Sequence, residues 1–372
     1  GLAHVFEHMM FRGTDKFPEY DKVLAPFGPE TNASTSQDFT RYFVNVKEKY
    51  LKNIIEIEAD RFQNMSFSNE TFRAELGPVR EERRRGYVDH PDGFLYSKIY
   101  EVAYTVHPYH HPVIGWEEDL EKNLQYTDAL NFFHTYYSPN NCLIIISGCF
   151  DREQALHWIK EYYGGWPRQE SAKIHVPKEP EQKEERVETF FWKDDHIVPR
   201  LGMAYHGPHL NVSTPDYCSL LLISKILFME SQRITKRLYA DLQLVEGIDG
   251  EMDSSKDPGL FLIYASLKKG KSVEEVQTII LEEIEMLLNQ GIDERELQKA
   301  KNSLCASIFY GLNRPYAIAK AVGFYEIVGG NYQYLFEIDK KIKSLSKEEV
   351  MEVARRIFKK ENRTIVTLLP KK

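Results

Sequence analysis

Apolar side chains recur with helical spacing over most of the chain, and short β-rich runs interrupt this pattern. The periodic segments predict helices at Leu2–Phe11, Lys47–Asn64, Asn69–Arg85, Thr127–Tyr137, Arg152–Tyr163, Asp216–Phe228, Val273–Gln290, Glu294–Phe309, Ala317–Val328 and Lys347–Phe358. The runs rich in β-branched and aromatic residues predict strands at Thr40–Val46, Cys142–Cys149, Val187–Lys193, Gly202–His206, Gly259–Ser266 and Arg363–Leu369. Together these elements predict an α+β fold.

A polar segment near the middle of the chain predicts a domain boundary. Gly164-Gly-Trp-Pro is followed, as far as Glu185, by Lys, Glu, Pro and Gln with hardly any apolar residue, which is typical of a linker. The 372 residues also exceed the roughly 250–300 at which a single hydrophobic core stops growing. We therefore predict a first domain at residues 1–170, a linker at 171–186 and a second domain at 187–372.

A repeated pattern suggests that the two domains are related. Leu124 and Leu345 each precede a predicted helix, and 17 positions later each is followed by an asparagine, Asn141 or Asn362, and then by an apolar run. The repeat predicts sister domains, each a mainly antiparallel sheet packed with helices. A coincidental match between two α/β segments is the alternative.

Composition narrows the functional classes. Apolar residues make up 42% of the chain and charged residues 28%, a balance that excludes wholesale disorder. With a net charge of −8, the chain lacks the extensive basic surface that is typical of a nucleic-acid-binding protein. No run approaches the roughly 18 consecutive apolar residues of a membrane span. We expect a globular protein with no nucleic-acid partner and no membrane span.

A metal-site motif stands at the start of the chain. His4-Val-Phe-Glu7-His8 has the H-x-x-E-H pattern of inverted zinc peptidases. In a helix, His4 and His8 lie one turn apart, so both imidazoles can bind one metal ion from the same face. Glu7 flanks that face, where it can hold a metal-bound water rather than fill the coordination sphere. A surface cluster of histidine and glutamate is the alternative.

A catalytic zinc ion needs a third protein ligand and an open position for water. The candidates lie in the predicted helix Asn69–Arg85, where Glu75, Glu81 and Glu82 stand among basic residues. From the residues alone, each is also explained as an ordinary solvated carboxylate of a helix surface.

The segment Gly1–Thr14 resembles the zinc-site segment of the pitrilysin/insulinase family, the inverted-zincin metallopeptidases. In that family the third ligand lies in a later helix of the pattern Glu-x-Gly-x-Val-x-Glu-Glu. This chain has Glu75-Leu-Gly-Pro-Val-Arg-Glu81-Glu82, with 73 residues between His8 and Glu82. The resemblance implies that Glu82 is the ligand, with Glu81 as the alternative, and that Glu75 supports the site without binding metal.

Other segments extend the resemblance over nearly the whole chain, in the short two-domain branch of the family. Asn32-Ala33-Ser-Thr resembles the family's Asn-Ala-x-Thr turn and strand, which implies that Asn32 and Ala33 line the cleft and contact the substrate backbone. The loop that begins at His107 resembles the family's His-Pro-Tyr loop, and we interpret its histidines as structural. Asp257–Phe261 and Arg363–Pro370 conform to the second domain, which lacks H-x-x-E-H and is implied to be non-catalytic.

The resemblance also implies a function. It implies a zinc endopeptidase that hydrolyses peptides or unfolded polypeptides with one Zn²⁺ per chain, bound by His4, His8 and Glu82. The zinc ion would polarise the scissile carbonyl and lower the pKa of its water, and Glu7 would act as the general base. One alternative is a catalytically silent subunit of a family heterodimer that binds peptide or serves a structural role. Another is a metal-storage protein.

Assembly and context follow from the same resemblance. Two-domain members form half of a clamshell, which implies a homodimer, or a heterodimer with a related subunit, around a chamber that admits unfolded peptides. Members also carry further strands of the first sheet before the motif, so we expect the first domain to be truncated at its N-terminus. A location in the bacterial periplasm or cell envelope is favoured over the cytoplasm.

Overall fold

A computed structural model describes residues 1–169 and 175–371. The helices are α1 (Leu2–Met9), α2 (Tyr20–Leu24), α3 (Leu51–Asn64), α4 (Asn69–Arg83), α5 (Pro91–Ala103), α6 (Tyr126–Tyr136), α7 (Arg152–Tyr163), α8 (Pro215–Phe228), α9 (Arg233–Thr235), α10 (Val273–Gln290), α11 (Glu294–Gly311), α12 (Pro315–Ile327), α13 (Tyr334–Ser344) and α14 (Lys347–Ile357). Each predicted helix is present, with ends that differ by a few residues.

The strands form two sheets in the described part of the chain. They are β1 (Glu30–Thr35), β2 (Thr40–Asn45), β3 (Arg186–Phe191), β4 (Arg200–His206), β5 (Val245–Met252), β6 (Leu260–Leu267) and β7 (Arg363–Leu369). β1 and β2 pair in antiparallel orientation, and the other strands form a sheet in the order β3-β7-β4-β6-β5. Only the β3–β7 pair of this larger sheet is parallel. The α+β prediction is confirmed.

The contacts divide the chain into two compact units that are not consecutive in sequence. Unit 1 comprises residues 1–85 and 111–176, and unit 2 comprises residues 86–110 and 177–372. Helix α5 therefore belongs to unit 2, where Leu95 and Ile99 are buried in one core with residues of β4, β6 and β7. The predicted boundary assumed that sequence neighbours share a unit, whereas the apolar face of α5 is buried by strands that lie a hundred or more positions later.

The predicted linker is only partly described, because residues 171–174 lie outside the described part. Further along it, Glu179 is bound to its own unit: its carboxylate accepts hydrogen bonds from the backbone N–H groups of Thr105, Val106 and His107. A polar composition indicates that a segment lacks a core of its own. It does not exclude hydrogen bonds that dock the segment elsewhere.

The predicted strand Cys142–Cys149 is wrong. Cys142 has extended backbone, with φ −120° and ψ 135°. The segment nevertheless pairs with no strand among the described residues, and the side chains of Leu143 and Ile144 are 42% and 40% exposed. Side-chain type favours an extended backbone locally, but a strand exists only through pairing with another segment, and a local pattern does not specify that partner.

The pattern of apolar and polar residues did not predict α2, α5, α9, α13, β1 or β5, although the family resemblance implied a strand near Asn32 and Ala33. Helix α5 begins with Pro91 and contains Gly93, which interrupts its helical pattern. Strand β5 carries glycine and acidic residues, which are depleted in strands. Helix α13 does carry a helical signal, since Leu335, Ile338 and Ile342 are buried at helical spacing. Neighbouring elements stabilise α5 and β5, where intrinsic preference is weak.

The repeated segments share local structure. Helices α6 and α14 both begin with a capping box, and each is followed by a 3₁₀ turn that contains the repeated asparagine. Asn141 donates its side-chain N–H to the carbonyl of Tyr136, and Asn362 donates in the same way to Ile357, each at 2.9 Å and five positions back. The segments then differ, because only the second continues into a paired strand, β7. Duplication of the domains stays a prediction.

Within the described residues, no helix is both long and apolar enough to cross a membrane.

Glycine at position 250 allows helix α8 to pack closely on strand β5. A Cβ atom there would lie 2.2–2.7 Å from ring atoms of the buried Phe228. We expect Gly250→Ala to lower the free energy of unfolding by about 1–3 kcal/mol, because a packed aromatic ring has no free space to move into. Thermal or denaturant unfolding measures this change.

Gly247→Ala is the matched control, since Gly247 lies on the same strand and no atom comes within 4 Å of the point that a Cβ atom would occupy there. We expect its stability to stay within about 0.5 kcal/mol of the parent. Equal stability of the two variants would contradict the close α8–β5 packing.

Candidate metal centre

Burial of one face of α1 sets the direction of its polar face. Val5, Phe6 and Met9 are fully buried. The Phe6 ring stacks on Phe132 and Phe133, with ring centroids 5.2 and 6.0 Å apart. Because the helix cannot rotate without exposing these side chains, its histidines and Glu7 are held on the opposite side.

Two histidines and one glutamate converge at this polar face. The Nε2 atom of His4 lies 3.6 Å from one carboxylate oxygen of Glu82, and the Nε2 atom of His8 lies 3.2 Å from the other. One ligand atom from each residue lies within 4.8 Å of the other two. Two imidazoles and one carboxylate are a ligand set of catalytic zinc sites, so the donors fit a zinc ion. No other group of three potential metal ligands occurs in the described residues.

Glu75 supports His8 from the side opposite the cluster. Glu75 and Glu82 are seven positions apart on α4 and therefore share one helix face. The Nδ1 atom of His8 lies 3.2 Å from one oxygen of Glu75, and Arg12 donates to the other oxygen at 2.6 Å. A proton on Nδ1 that is donated to Glu75 leaves Nε2 free as a metal ligand.

The hydrogen bond between His8 and Glu75 shifts the pKa of both residues. The hydrogen bond from His8 lowers the pKa of Glu75, with a further contribution from Arg12. The same bond raises the pKa of His8. Burial lowers the pKa of His4, although the Glu82 carboxylate opposes this effect, so His4 favours the neutral form that metal binding requires.

Glu81 points away from the cluster. Its carboxylate accepts hydrogen bonds from Arg84 and Arg85, the residues three and four positions later, and these bonds lower its pKa to about 2. Of the three carboxylates considered from the sequence, the structure therefore brings Glu82 to the histidine Nε2 atoms, Glu75 to His8 Nδ1, and Glu81 to neither.

Glu7 lies beside the cluster and is held by a residue to which the sequence assigned no role. Its Oε2 atom accepts a hydrogen bond of 2.5 Å from the hydroxyl of Thr35. Burial raises the pKa of Glu7, and the Thr35 hydrogen bond partly opposes this. The signal was present in the sequence: Thr35 is two positions beyond Ala33, so both side chains point to the same face of β1.

The predicted substrate-contacting residues lie on β1. Asn32 is exposed, and its side-chain oxygen accepts a hydrogen bond from the backbone N–H of Ala33 at 2.8 Å. Strand β1 pairs with β2 along one edge, and its other edge has no strand partner in the described chain. By contrast, His107 belongs to unit 2, where it is buried and faces Asp257 at 3.3 Å.

Two family models match the chain. The model described as "Insulinase (Peptidase family M16)" matches residues 1–116, which include the metal centre. The model described as "Peptidase M16 inactive domain" matches residues 123–304. Together these matches take in most of the chain.

Individual relatives and solved structures agree with the family-model matches. The chain is 28% identical over 378 residues to the protein named zinc protease PqqE of Helicobacter pylori, a match that spans 100% of this chain and 83% of PqqE. The crystal structure of a protease from H. pylori superposes with a TM-score of 0.93 at 27% identity, covering 99% of this chain and 89% of that one.

A longer protein is also similar in fold. The periplasmic protease PqqL from Escherichia coli matches with a TM-score of 0.78 at 16% identity, and the match spans 99% of this chain but 43% of PqqL. The family resemblance drawn from the motif is thus confirmed, and the chain belongs to the insulinase family, peptidase family M16.

Proposed function

We propose that this protein is a zinc-dependent endopeptidase that hydrolyses peptides or unfolded polypeptides. The observation that carries the proposal is the convergence of His4 Nε2, His8 Nε2 and the Glu82 carboxylate, with Glu7 beside them. The zinc-protease name of its relative PqqE supports it.

Each side chain at the candidate site would have a different role, according to its position. His4, His8 and Glu82 would hold the metal, while Glu75 keeps the Nε2 atom of His8 directed at it. Zinc bound there would polarise a peptide carbonyl and lower the pKa of water. Glu7 would accept the proton of the attacking water and transfer it to the leaving amine. Its partial burial raises its pKa, which suits a group that must both take up and release a proton.

Substrate would bind in an extended conformation beside β1. The edge of this strand that has no strand partner among the described residues offers backbone hydrogen bonds near Asn32 and Ala33. Such hydrogen bonds recognise the backbone of the substrate and not its side chains. We therefore propose that the enzyme has little sequence preference and requires an unfolded segment.

A catalytically silent subunit is the other candidate function. The inactive-domain match supports a non-catalytic second half, because it begins at residue 123, whereas the candidate metal ligands lie between His4 and Glu82. The first half keeps every residue that the proposed chemistry needs. A metal-storage role gives no account of Glu7, which lies beside the ligands without being one of them.

We also propose that the active form is a dimer. The chain corresponds in fold to a little under half of PqqL, so two chains of this size match the length of that protein. The second subunit would be another copy or a related chain. A periplasmic or cell-envelope location stays a prediction, with which the match to a periplasmic protease agrees.

The general base is tested by Glu7→Gln. We expect this variant to bind zinc as the parent does but to cleave an unstructured peptide at least about 100-fold more slowly, because it loses only the proton acceptor. Metal content and turnover are measured on the same samples. A chelator should abolish activity of the parent, and added zinc should restore it. Near-full turnover of Glu7→Gln would contradict the mechanism.

The third ligand is tested by comparing Glu82→Gln with Glu81→Gln. We expect Glu82→Gln to lose zinc on dialysis, because it loses a carboxylate that faces both histidines. Glu81→Gln is the control and should retain zinc, since the Glu81 carboxylate is paired with Arg84 and Arg85 and not with the histidines. The reverse order of metal content would assign the ligand to Glu81.

The assembly is tested by light scattering together with substrate size. We expect a dimer that cleaves unstructured peptides and leaves folded globular proteins intact, because a chamber enclosed by two such chains would admit only unfolded segments. A fully active monomer would contradict the dimer. Efficient cleavage of a folded protein would contradict the requirement for unfolded substrate.

A further inference from the structure

The Thr35 hydroxyl makes the one hydrogen bond to the Glu7 carboxylate from the residues that the structure describes. Its Oγ1 atom is 2.5 Å from Oε2 of the Glu7 carboxylate, a distance typical of a hydroxyl that donates to a charged oxygen. A hydroxyl has one proton, so Thr35 donates only to Glu7. The bond joins the last residue of β1 to α1, 28 positions away in sequence.

A second threonine supports the first. Thr40 is the residue directly opposite Thr35 in the β1–β2 pairing, and the two Oγ1 atoms are 3.2 Å apart. Since the Thr35 proton is used on Glu7, Thr40 is the donor in this contact. Two successive hydrogen bonds therefore lead from Thr40 to Thr35 and on to Glu7, and the paired strands hold the Thr35 hydroxyl in place.

This contact distinguishes the two oxygens of Glu7. Oε2 is occupied by Thr35, whereas Oε1 accepts no hydrogen bond from the described residues. A carboxylate held through one oxygen cannot rotate freely, so the direction of the other oxygen is fixed before substrate binds.

We infer that Thr35 is a positioning residue for the general base: by holding Oε2 of Glu7, it directs Oε1 at the water whose proton is removed. The inference rests on the proposed peptidase function and adds to it the oxygen that acts and the residue that selects it. Thr35 would touch neither the metal nor the water.

The test compares three variants on an unstructured peptide substrate. Thr35→Val keeps the shape and β-branching of threonine but removes the hydroxyl. We expect its kcat to fall by about 10–100-fold, with KM within about twofold and zinc content unchanged, because misplaced catalytic groups cost rate rather than binding. Thr35→Ser keeps the hydroxyl and should retain most of the parent kcat.

Thr40→Val is the matched control on the neighbouring strand. It removes the supporting hydroxyl while leaving the Thr35–Glu7 contact, so its kcat should fall by less than that of Thr35→Val. Parent-like kcat in Thr35→Val would overturn the inference, as would a loss of zinc that accounts for the whole effect. If Thr35→Val does not fold, Thr35→Ala provides the hydroxyl-free variant under the same criteria.

Crystal structures of metal-free parent and Thr35→Val protein give a readout that does not depend on activity. We expect the Glu7 carboxylate to be ordered in the parent and to be rotated or disordered in the variant. An unchanged carboxylate would overturn the inference. Absence of any zinc-dependent cleavage by the parent would instead refute the proposed function, while the crystallographic comparison would still decide the position of Glu7.

Discussion

The contact between helices α1 and α4 is the constraint on which the candidate site depends. One helix supplies two histidines a turn apart, and the other supplies two carboxylates that share a face. Glu75 and Glu82 contact different nitrogens of the same His8 ring, so the imidazole is held between them. This arrangement exists only because the buried Val5, Phe6 and Met9 fix the rotation of α1.

The two carboxylates of α4 at the candidate site, Glu75 and Glu82, differ in burial and in hydrogen-bond partners. Glu75 is 5% exposed, and a buried carboxylate without partners would be strongly destabilising. His8 and Arg12 occupy its two oxygens and lower its pKa, so the carboxylate stays ionised. Glu82 is far more exposed and faces the two histidines, which leaves its oxygens available to a metal ion. The same helix thus carries one carboxylate saturated by hydrogen bonds and one free to bind metal.

The β1–β2 pair brings a second set of side chains to α1. Its backbone pairing aligns Thr35 with Thr40, and the last side chain of β1 reaches Glu7. Asn32 and Ala33 lie on the same strand, so the edge proposed to bind substrate and Thr35, which holds Glu7, belong to one element. In the proposed mechanism, this strand would couple the position of the substrate to that of the base.

Local spacing in the sequence determined a large part of this protein. The H-x-x-E-H spacing placed both histidines on one face, because helical periodicity is a property of consecutive residues. Most helix positions and most strands followed from the same short-range patterns. The residues alone left Glu81 and Glu82 as alternatives, and which of them faces the histidines depends on the rotation of α4 against α1. The Glu7–Thr35 bond depends on a contact across 28 positions. The lack of a strand partner for residues 142–149 within the described chain and the place of α5 in unit 2 were likewise decided by tertiary structure, because pairing and burial depend on segments far apart in the chain.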